Sequence, residues 1–377
     1  MVDTRMSDAS NMAAVVFRVD ASQDIGAGHV TRCITLANAL TKHGIDSYFV
    51  CRAHAGHMAD QISSEGHRVL LLPMIDAAEY SYACHFGEEY IPWLGADSLS
   101  DANATAEYLL KINPDWLIID HFSIDQGWEI ALKSKINIKI MVIDGLANRK
   151  HECNLLLDQT FSTEGEARWN KLIPKSSKLF AGPQYALLRP EFFELRRNLH
   201  SRKGEVERIF ISFGGVDKLN ATDMTLDAIN GLAEHGYVID VALGLSNPHR
   251  HAIEKKYKKI ENINIYVDPE NIFGLMANAD MAIGGGGTMM WERCLLKLPT
   301  VIISIAENQV ELAKSLHEIN AAVYIGDIAS ITSQSIRDGV DDLINNKEMR
   351  EKIQNVNKGL MSENNSAVTD YLLNSIR

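Results

Sequence analysis

Val15-Val16-Phe17-Arg18-Val19-Asp20-Ala21-Ser22-Gln23-Asp24-Ile25-Gly26-Ala27-Gly28-His29-Val30-Thr31-Arg32 runs from a β-branched stretch, through a turn with two glycines, into a helical pattern. Residues 15–20 read as a strand. Residues 30–40 read as a helix, with apolar side chains at Val30, Ile34, Ala37 and Leu40 and a stop at Gly44. Strand, tight turn and helix make the repeating unit of a parallel α/β sheet.

The unit recurs outward from there. Further strands are predicted at 47–51, 69–72, 116–120, 139–144 and 155–157. Short apolar strands alternating with helices imply a parallel sheet covered on both faces. Between Gly182 and Arg208 charged residues crowd together, in Arg189-Pro190-Glu191, Arg196-Arg197 and Arg202-Lys203-Gly204-Glu205, and the link between domains is placed there. The pattern then restarts, with strands at 208–213, 238–243, 263–267, 281–285 and 300–305. The expected division is a polar leader at 1–12, a first Rossmann-like domain at 13–195 and a second at 206–360. A terminal helix within 361–377 is expected to pack back on the first domain. The 377 residues suit two domains, at about 150 residues each. Two doubly wound domains of this kind face a cleft at the carboxyl ends of their strands, where ligands bind.

Composition narrows the function. With 37 Lys+Arg against 49 Asp+Glu, the net charge is −12, which argues against a dedicated nucleic-acid binder. There is no uninterrupted apolar run of membrane-spanning length. The first twelve residues carry Asp3, Arg5 and Asp8 and lack the apolar centre of a signal peptide. The five cysteines (Cys33, Cys51, Cys84, Cys153 and Cys294) form no CxxC pair, so neither a zinc site nor a disulfide frame is indicated, and a cytoplasmic location is the natural reading.

Four strand-end segments carry candidate chemistry. In the first loop Gly26 and Gly28 permit a tight turn and close backbone approach, and the amides at the following helix start suit an anion or a sugar hydroxyl. His29 falls in the first helical turn, where the positive helix end favours a neutral imidazole able to accept a proton. Asp20, Gly26, Gly28 and Arg32 are the expected substrate or nucleotide contacts there. The plain alternative is a glycine-rich turn with an incidental histidine, and GAGHVTR lacks the third glycine of a dinucleotide fingerprint. Phe213-Gly214-Gly215-Val216-Asp217 offers a second anion cradle at Gly214 and Gly215, or a simple strand-to-helix turn. Gly284-Gly285-Gly286-Gly287-Thr288 ends a strand before a helix. Gly286, Gly287 and Thr288 suit a diphosphate, and Glu292, one turn on, suits a ribose diol. Ala306-Glu307-Asn308-Gln309 ends the next strand, with Asn308 and Gln309 placed for sugar hydroxyls or Asn308 for a helix cap. Asp120 and Asp144 also end strands, where helix capping is the commoner role.

FRVDASQDIGAGHVTRCITLANAL, LFAGPQYALLRPEF, ISFGGVD and the stretch from Ala279 through WERCLLKLPTVIISIAENQ together resemble the UDP-2,4-diacetamido-2,4,6-trideoxy-β-L-altropyranose hydrolases of pseudaminic acid biosynthesis. The resemblance runs from about Val15 to beyond Gln309 and implies a GT-B-like fold. It also implies inverting cleavage of the anomeric C–O bond by water, without metal or cofactor, giving UDP and the free sugar. On it His29 activates the water, Asn308 lies near the sugar, and Thr288 and Glu292 hold the nucleotide. Three stretches depart from the family pattern. Phe122 follows Asp120-His121 where the family has tyrosine, Gly145 follows Asp144 where it has a second aspartate, and Thr288-Met289-Met290-Trp291-Glu292 replaces Ser-Thr-Thr-Trp-Glu. A glycosyltransferase using a UDP-amino sugar, and a nucleotide-sugar binding protein without catalysis, are the alternative expectations.

Overall fold

The apolar runs of the sequence become thirteen parallel-paired strands in the computed structural model, which describes residues 13–75, 88–199, 202, 204–364 and 366–376. The expected leader 1–12 and Cys84 lie outside the described residues. The strands are β1 Ala14–Val19, β2 Asp46–Arg52, β3 Arg68–Leu72, β4 Trp116–Asp120, β5 Lys139–Ile143, β6 Leu155–Asp158 and β7 Lys178–Ala181 in one half. In the other half they are β8 Arg208–Ser212, β9 Val238–Leu243, β10 Ile263–Val267, β11 Met281–Gly284, β12 Thr300–Ser304 and β13 Val323–Asp327. The helices of the first half are α1 Gly28–Thr41, α2 Ala59–Ser64, α3 Ser98–Ile112, α4 Gln126–Lys133 and α5 Pro190–Asn198. Those that follow are α6 Ala221–Ile229, α7 Gly231–Glu234, α8 Arg250–Tyr257, α9 Ile272–Asn278, α10 Met289–Leu295, α11 Val310–Glu318, α12 Ser333–Asn345, α13 Lys347–Leu360 and α14 Ser366–Ile376.

The first sheet has the order β3-β2-β1-β4-β5-β6-β7 and the second β10-β9-β8-β11-β12-β13. In each, the direction of winding reverses between the two central strands, β1 and β4 or β8 and β11. The loops leaving these pairs diverge to opposite faces and open a crevice at the carboxyl edge. The first loop and the four-glycine loop leave these two crevices.

Alternation along β1 divides its side chains between two layers. Val15, Phe17 and Val19 pack with Val30, Ile34, Ala37 and Leu40 of α1, while Val16 joins Leu117, Ile119 and Trp128 on the other face. Arg18 also points to that second face and is fully buried. Its guanidinium meets Asp101 of α3 at 3.1 and 2.8 Å, and Trp128 Nε1 donates to the same carboxylate at 3.0 Å.

Two features differ from the sequence expectation. The strands β7 and β13 were not anticipated. Both are short edge strands, and β13 is only half-buried, so neither shows the continuous apolar run of the central strands. The chain also leaves the first domain earlier than residue 195: Ala186, Leu188, Phe192 and Phe193 pack with Phe210, Met276 and Trp291 of the second. It returns at the end, where Val368, Leu372 and Leu373 of α14 enter the core of the first domain and Trp116 Nε1 donates to Ser375 Oγ at 2.9 Å.

That return makes the last helix part of the first domain's core. Leu372→Ala is expected to destabilise this domain by about 2–5 kcal/mol, the usual cost of emptying a fully buried leucine site. Urea unfolding followed by tryptophan fluorescence measures it. A change below ~0.5 kcal/mol would mean that α14 is not part of the cooperative unit.

Candidate functional site

His29 is the second residue of α1, on the same face as Arg32 one turn later, and both reach across to the end of β4. The His29 Nδ1 lies 2.6 Å from Asp120 Oδ1. Arg32 donates to the same carboxylate from Nε and Nη2, each at 2.5 Å, and Cys33 Sγ is 3.5 Å from it. The Asp120 carboxylate accepts, so Nδ1 carries the imidazole proton and Nε2 keeps its lone pair. The longer approach of Arg32 Nη2 to Nδ1, 3.2 Å, is then a contact between two donors. Burial works against the Asp120 charge, but Arg32 and His29 outweigh it and hold the carboxyl below the usual carboxylate range.

Two aromatic rings flank the imidazole and a third backs them. Phe122, just past β4, stands edge-on to it at 4.7 Å. Trp93, from a 3-10 turn spanning Glu88–Leu94, stacks on Phe122 at 5.8 Å and stands 6.1 Å from His29. Tyr90 of the same turn packs against both Trp93 and Phe122. The imidazole is thereby confined, with a rotamer fixed by packing as well as by Asp120.

A second buried cluster forms the floor. Asp20 is fully enclosed. It accepts from the Arg52 amide at 2.6 Å, and Arg18 Nη1 lies 2.8 Å from it. His121 Nδ1 accepts from the Ser123 amide at 3.1 Å, which leaves the proton on Nε2. That atom sits 3.1 Å from Asp20 Oδ2, close enough for an ionic contact though not aligned as a hydrogen bond. The expected substrate contacts Asp20 and Arg32 are therefore turned inward and spent on their neighbours. They shape the site from behind.

On the facing domain, the four-glycine loop is held at its back. Gln309 Oε1 accepts from the Gly286 amide at 3.0 Å and from the Ile305 amide at 3.2 Å. Gly286 N–H is thus already used, a correction to its expected role as a diphosphate donor. Gln309 supports the loop by the same bond. Among the described residues no partner is given to the amides of Gly287, Thr288 and Met289. Across the cleft the same holds for Gly28, His29 and Val30, since the N-cap Ala27 has no capping side chain. The two loops touch: a Cβ on Gly28 would lie 3.0 Å from Thr288 Oγ1, and one on Gly215 would lie 3.2 Å from Ala27 Cβ. Exposed Lys218 and Asp24 bridge the same seam at 2.6 Å.

The remaining candidate residues divide. Glu292 is buried with no hydrogen bond to its carboxylate among the described residues, and burial pushes its pKa up to about 7 against the pull of Arg189 and Arg293. Asn308 sits on the 3-10 turn after β12, exposed, and caps no helix. Gly214 takes the left-handed φ of 88°. The helix after it offers no free cradle, because Asp217 accepts from the amides of Ala221 and Thr222 at 2.8 and 2.9 Å and fills that helix start itself. Asp144 is buried between Arg149 at 2.8 Å and His151 at 3.0 Å, and Asp125, not Asp120, caps α4. The sequence reading named Asp120 only as a strand-end candidate with helix capping as its commoner role, and it did not reach Trp93. The Rossmann strand order, which puts β4 beside β1, was the signal for Asp120. Trp93 had none, being in an irregular connection.

Comparisons with known proteins agree on the architecture. Residues 237–364 match the family described as "Protein of unknown function (DUF354)". Over 310 residues the chain is 27% identical to the UDP-2,4-diacetamido-2,4,6-trideoxy-beta-L-altropyranose hydrolase of Campylobacter jejuni, covering 81% of this chain and 98% of that protein. It is 25% identical over 299 residues to an uncharacterized protein of Methanocaldococcus jannaschii, covering 78% of this chain but only 56% of that protein, so the chain spans about half of that relative's length. The crystal structure of MurG of Acinetobacter baumannii superposes with a TM-score of 0.62 at 14% identity, covering 96% of this chain and 99% of that one. The fold is GT-B-like, two Rossmann-like domains facing a cleft. No helix among the described residues is long and apolar enough to cross a membrane.

Gly145 has a local cause. A Cβ there would lie 2.4 Å from Thr160 Cγ2, and Thr160 is fixed by its 2.6 Å hydrogen bond to Asp158. Gly145→Ala should therefore cost about 1–3 kcal/mol by overpacking. Thr160→Ser removes the methyl and keeps the hydroxyl, so in that background most of the cost should vanish. Urea unfolding of the four proteins of the cycle measures this. Additive costs would show that the methyl is not what keeps position 145 small.

Proposed function

We propose that the chain is a UDP-sugar hydrolase that inverts the anomeric centre, with UDP-2,4-diacetamido-2,4,6-trideoxy-β-L-altropyranose as its substrate and no metal in the reaction. The observation that carries this reading is the His29–Asp120 pair, set at the helix start that touches the glycine loop of the other domain. A base and a diphosphate cradle are thereby brought to one place. The Campylobacter relative's name supplies the substrate.

In this reading His29 Nε2 takes a proton from water as the water oxygen bonds to the anomeric carbon. The bond from that carbon to the β-phosphate oxygen breaks, and its electron pair leaves with UDP. Attack opposite the leaving group inverts the centre. The imidazolium formed on His29 is stabilised by the buried Asp120 carboxylate, as in other oriented histidine bases. The amides of Gly287 and Thr288, with those at the start of α1, receive the charge that develops on the diphosphate. Glu292 accepts the ribose hydroxyls, Asn308 lies beside the sugar, and Phe122 with Trp93 offers an aromatic wall for the sugar's methyl groups.

The GT-B likeness supports a transferase as the second reading, with an acceptor hydroxyl in place of water. Incubation with the UDP-sugar and no acceptor separates the two: stoichiometric UDP release, with the free sugar identified by proton NMR, is the hydrolase result. His29→Asn should lower kcat by about 10²–10⁴-fold while the UDP dissociation constant stays within a few-fold. A variant nearly as active as wild type would remove His29 from the chemistry.

The Glu292 carboxyl adds a pH dependence. Its pKa in the folded chain, about 7, lies above the ordinary carboxylate value, so it is largely protonated below neutrality and ionises as pH rises. If the ionised form accepts the ribose diol, UDP affinity should strengthen between pH 6 and pH 8, and Glu292→Gln should flatten that dependence. Calorimetric titrations across the range check it. An equal pH slope in both proteins would separate Glu292 from nucleotide binding.

A further inference from the structure

Arg293 follows Glu292 on α10 and is completely buried. Its Nη2 donates to the Gly285 carbonyl oxygen and lies 3.6 Å from Met290 Sδ. Its Nη1 is packed directly behind Gly284, where a Cβ would come within 2.1 Å of it and within 2.3 Å of the Ser212 carbonyl oxygen. Only glycine leaves room there for the guanidinium. Both Nε and Nη1 are buried without a hydrogen-bond partner.

Among the described residues most other buried arginines meet a carboxylate, and Arg350, which does not, donates from Nη1 to the carbonyl oxygens of Leu343 and Ile344. Arg18 has Asp20 and Asp101, Arg32 has Asp120, and Arg149 has Asp144, each pair within 2.8 Å. Among the described residues no such ion pair is made by Arg293. Burial lowers its pKa only to about 10, so the side chain remains a cation at neutral pH. A buried charge without a counter-charge is costly, and the cost is relieved by anything that brings the opposite charge close.

We propose that Arg293 is a positioning residue for the diphosphate: from behind, it holds the Gly284–Gly287 loop by a carbonyl, and the bound diphosphate is the counter-charge it lacks. The inference rests on the nucleotide-sugar reading above and deepens it. Arg293 does not touch the ligand. It holds the loop at the Gly285 carbonyl and lies directly behind Gly284, so its field reaches the loop through glycine backbone. At a separation of several ångströms and an effective dielectric near 20, such a field is worth a change of about tenfold or more in affinity for a dianion.

The test uses the full chain as wild type, Arg293→Met and Arg293→Lys, titrated calorimetrically with UDP, uridine and inorganic pyrophosphate, with thermal melts in the absence of ligand. Arg293→Met should lose UDP and pyrophosphate affinity about tenfold or more while uridine affinity changes less than about threefold. Its ligand-free melting temperature should not fall, because an unpaired buried charge has been removed. Arg293→Lys keeps the charge but not the fork and should lie between the two. It also serves if the methionine variant fails to fold. Equal losses for UDP and uridine would reduce Arg293 to a packing role and overturn the inference, as would an unchanged UDP affinity, while the nucleotide reading survives. Wild type that binds pyrophosphate but not UDP would support the anion site and defeat the nucleotide reading. Binding of neither would defeat both.

Discussion

Charge in a protein interior has to be matched, and the carboxyl edge of the first sheet is organised around that constraint. Asp20, Asp120 and Asp144 end or follow consecutive central strands, and all are buried. Each is met by an arginine: Arg18, Arg32 and Arg149. These pairs tie α1 and the loops to the sheet, so the position of His29 is set by the same contacts that neutralise the edge. The Asp120 carboxylate serves both ends at once, anchoring α1 through Arg32 and fixing the imidazole tautomer through Nδ1. A rigid base follows from the electrostatics of the fold.

The second domain treats charge differently. Glu292 and Arg293 are adjacent on α10 and buried, and neither makes an ion pair among the described residues. Burial raises one pKa and lowers the other, which is the mark of charges held without partners. The first domain matches its strand-end carboxylates with arginines; on α10 of the second, Arg293 has two nitrogens without a partner and Glu292 makes no ion pair among the described residues. A ligand that brings hydroxyl donors and a diphosphate satisfies both, which is the chemistry of a nucleoside diphosphate.

Much of this was legible in the sequence. The central strands are short apolar runs buried on both faces, so they stood out, and the strand ends at Asp120 and Leu243 match the reading to the residue. The edge strands β7 and β13 are short and only partly buried and gave no signal, whereas the edge strand β10 was legible through alternating Ile263, Ile265 and Val267. The candidate loops were also visible, since glycines between a strand and a helix mark a backbone that must turn sharply or be approached closely. What the one-dimensional pattern did not carry was direction. Asp20 and Arg32 are the right residue types for a substrate site, but both point inward. Asp217 has the right position for a loop that greets an anion, but it fills that helix start itself. Whether a polar group at a strand end faces the cleft or the interior depends on which arginine sits beside it, and for Asp120 that arginine, Arg32, comes from a helix 88 residues earlier in the chain.

The contact between the two loops joins these halves. Gly28 is close to Thr288, and Gly215 is close to Ala27, so the seam is made of small residues where the domains meet. The base and the first turn of α1 belong to a rigid, charge-matched domain, and the glycine loop belongs to one whose charges await a ligand. Bulk on either side of this seam would hold the helix start of α1 away from the glycine loop. The small residues at the seam therefore let the start of α1 and the loops of the second domain approach closely, which the proposed function requires. On the proposed function, the leaving diphosphate would be stabilised by one domain while the water is activated by the other, so that neither domain alone would carry both halves of the chemistry.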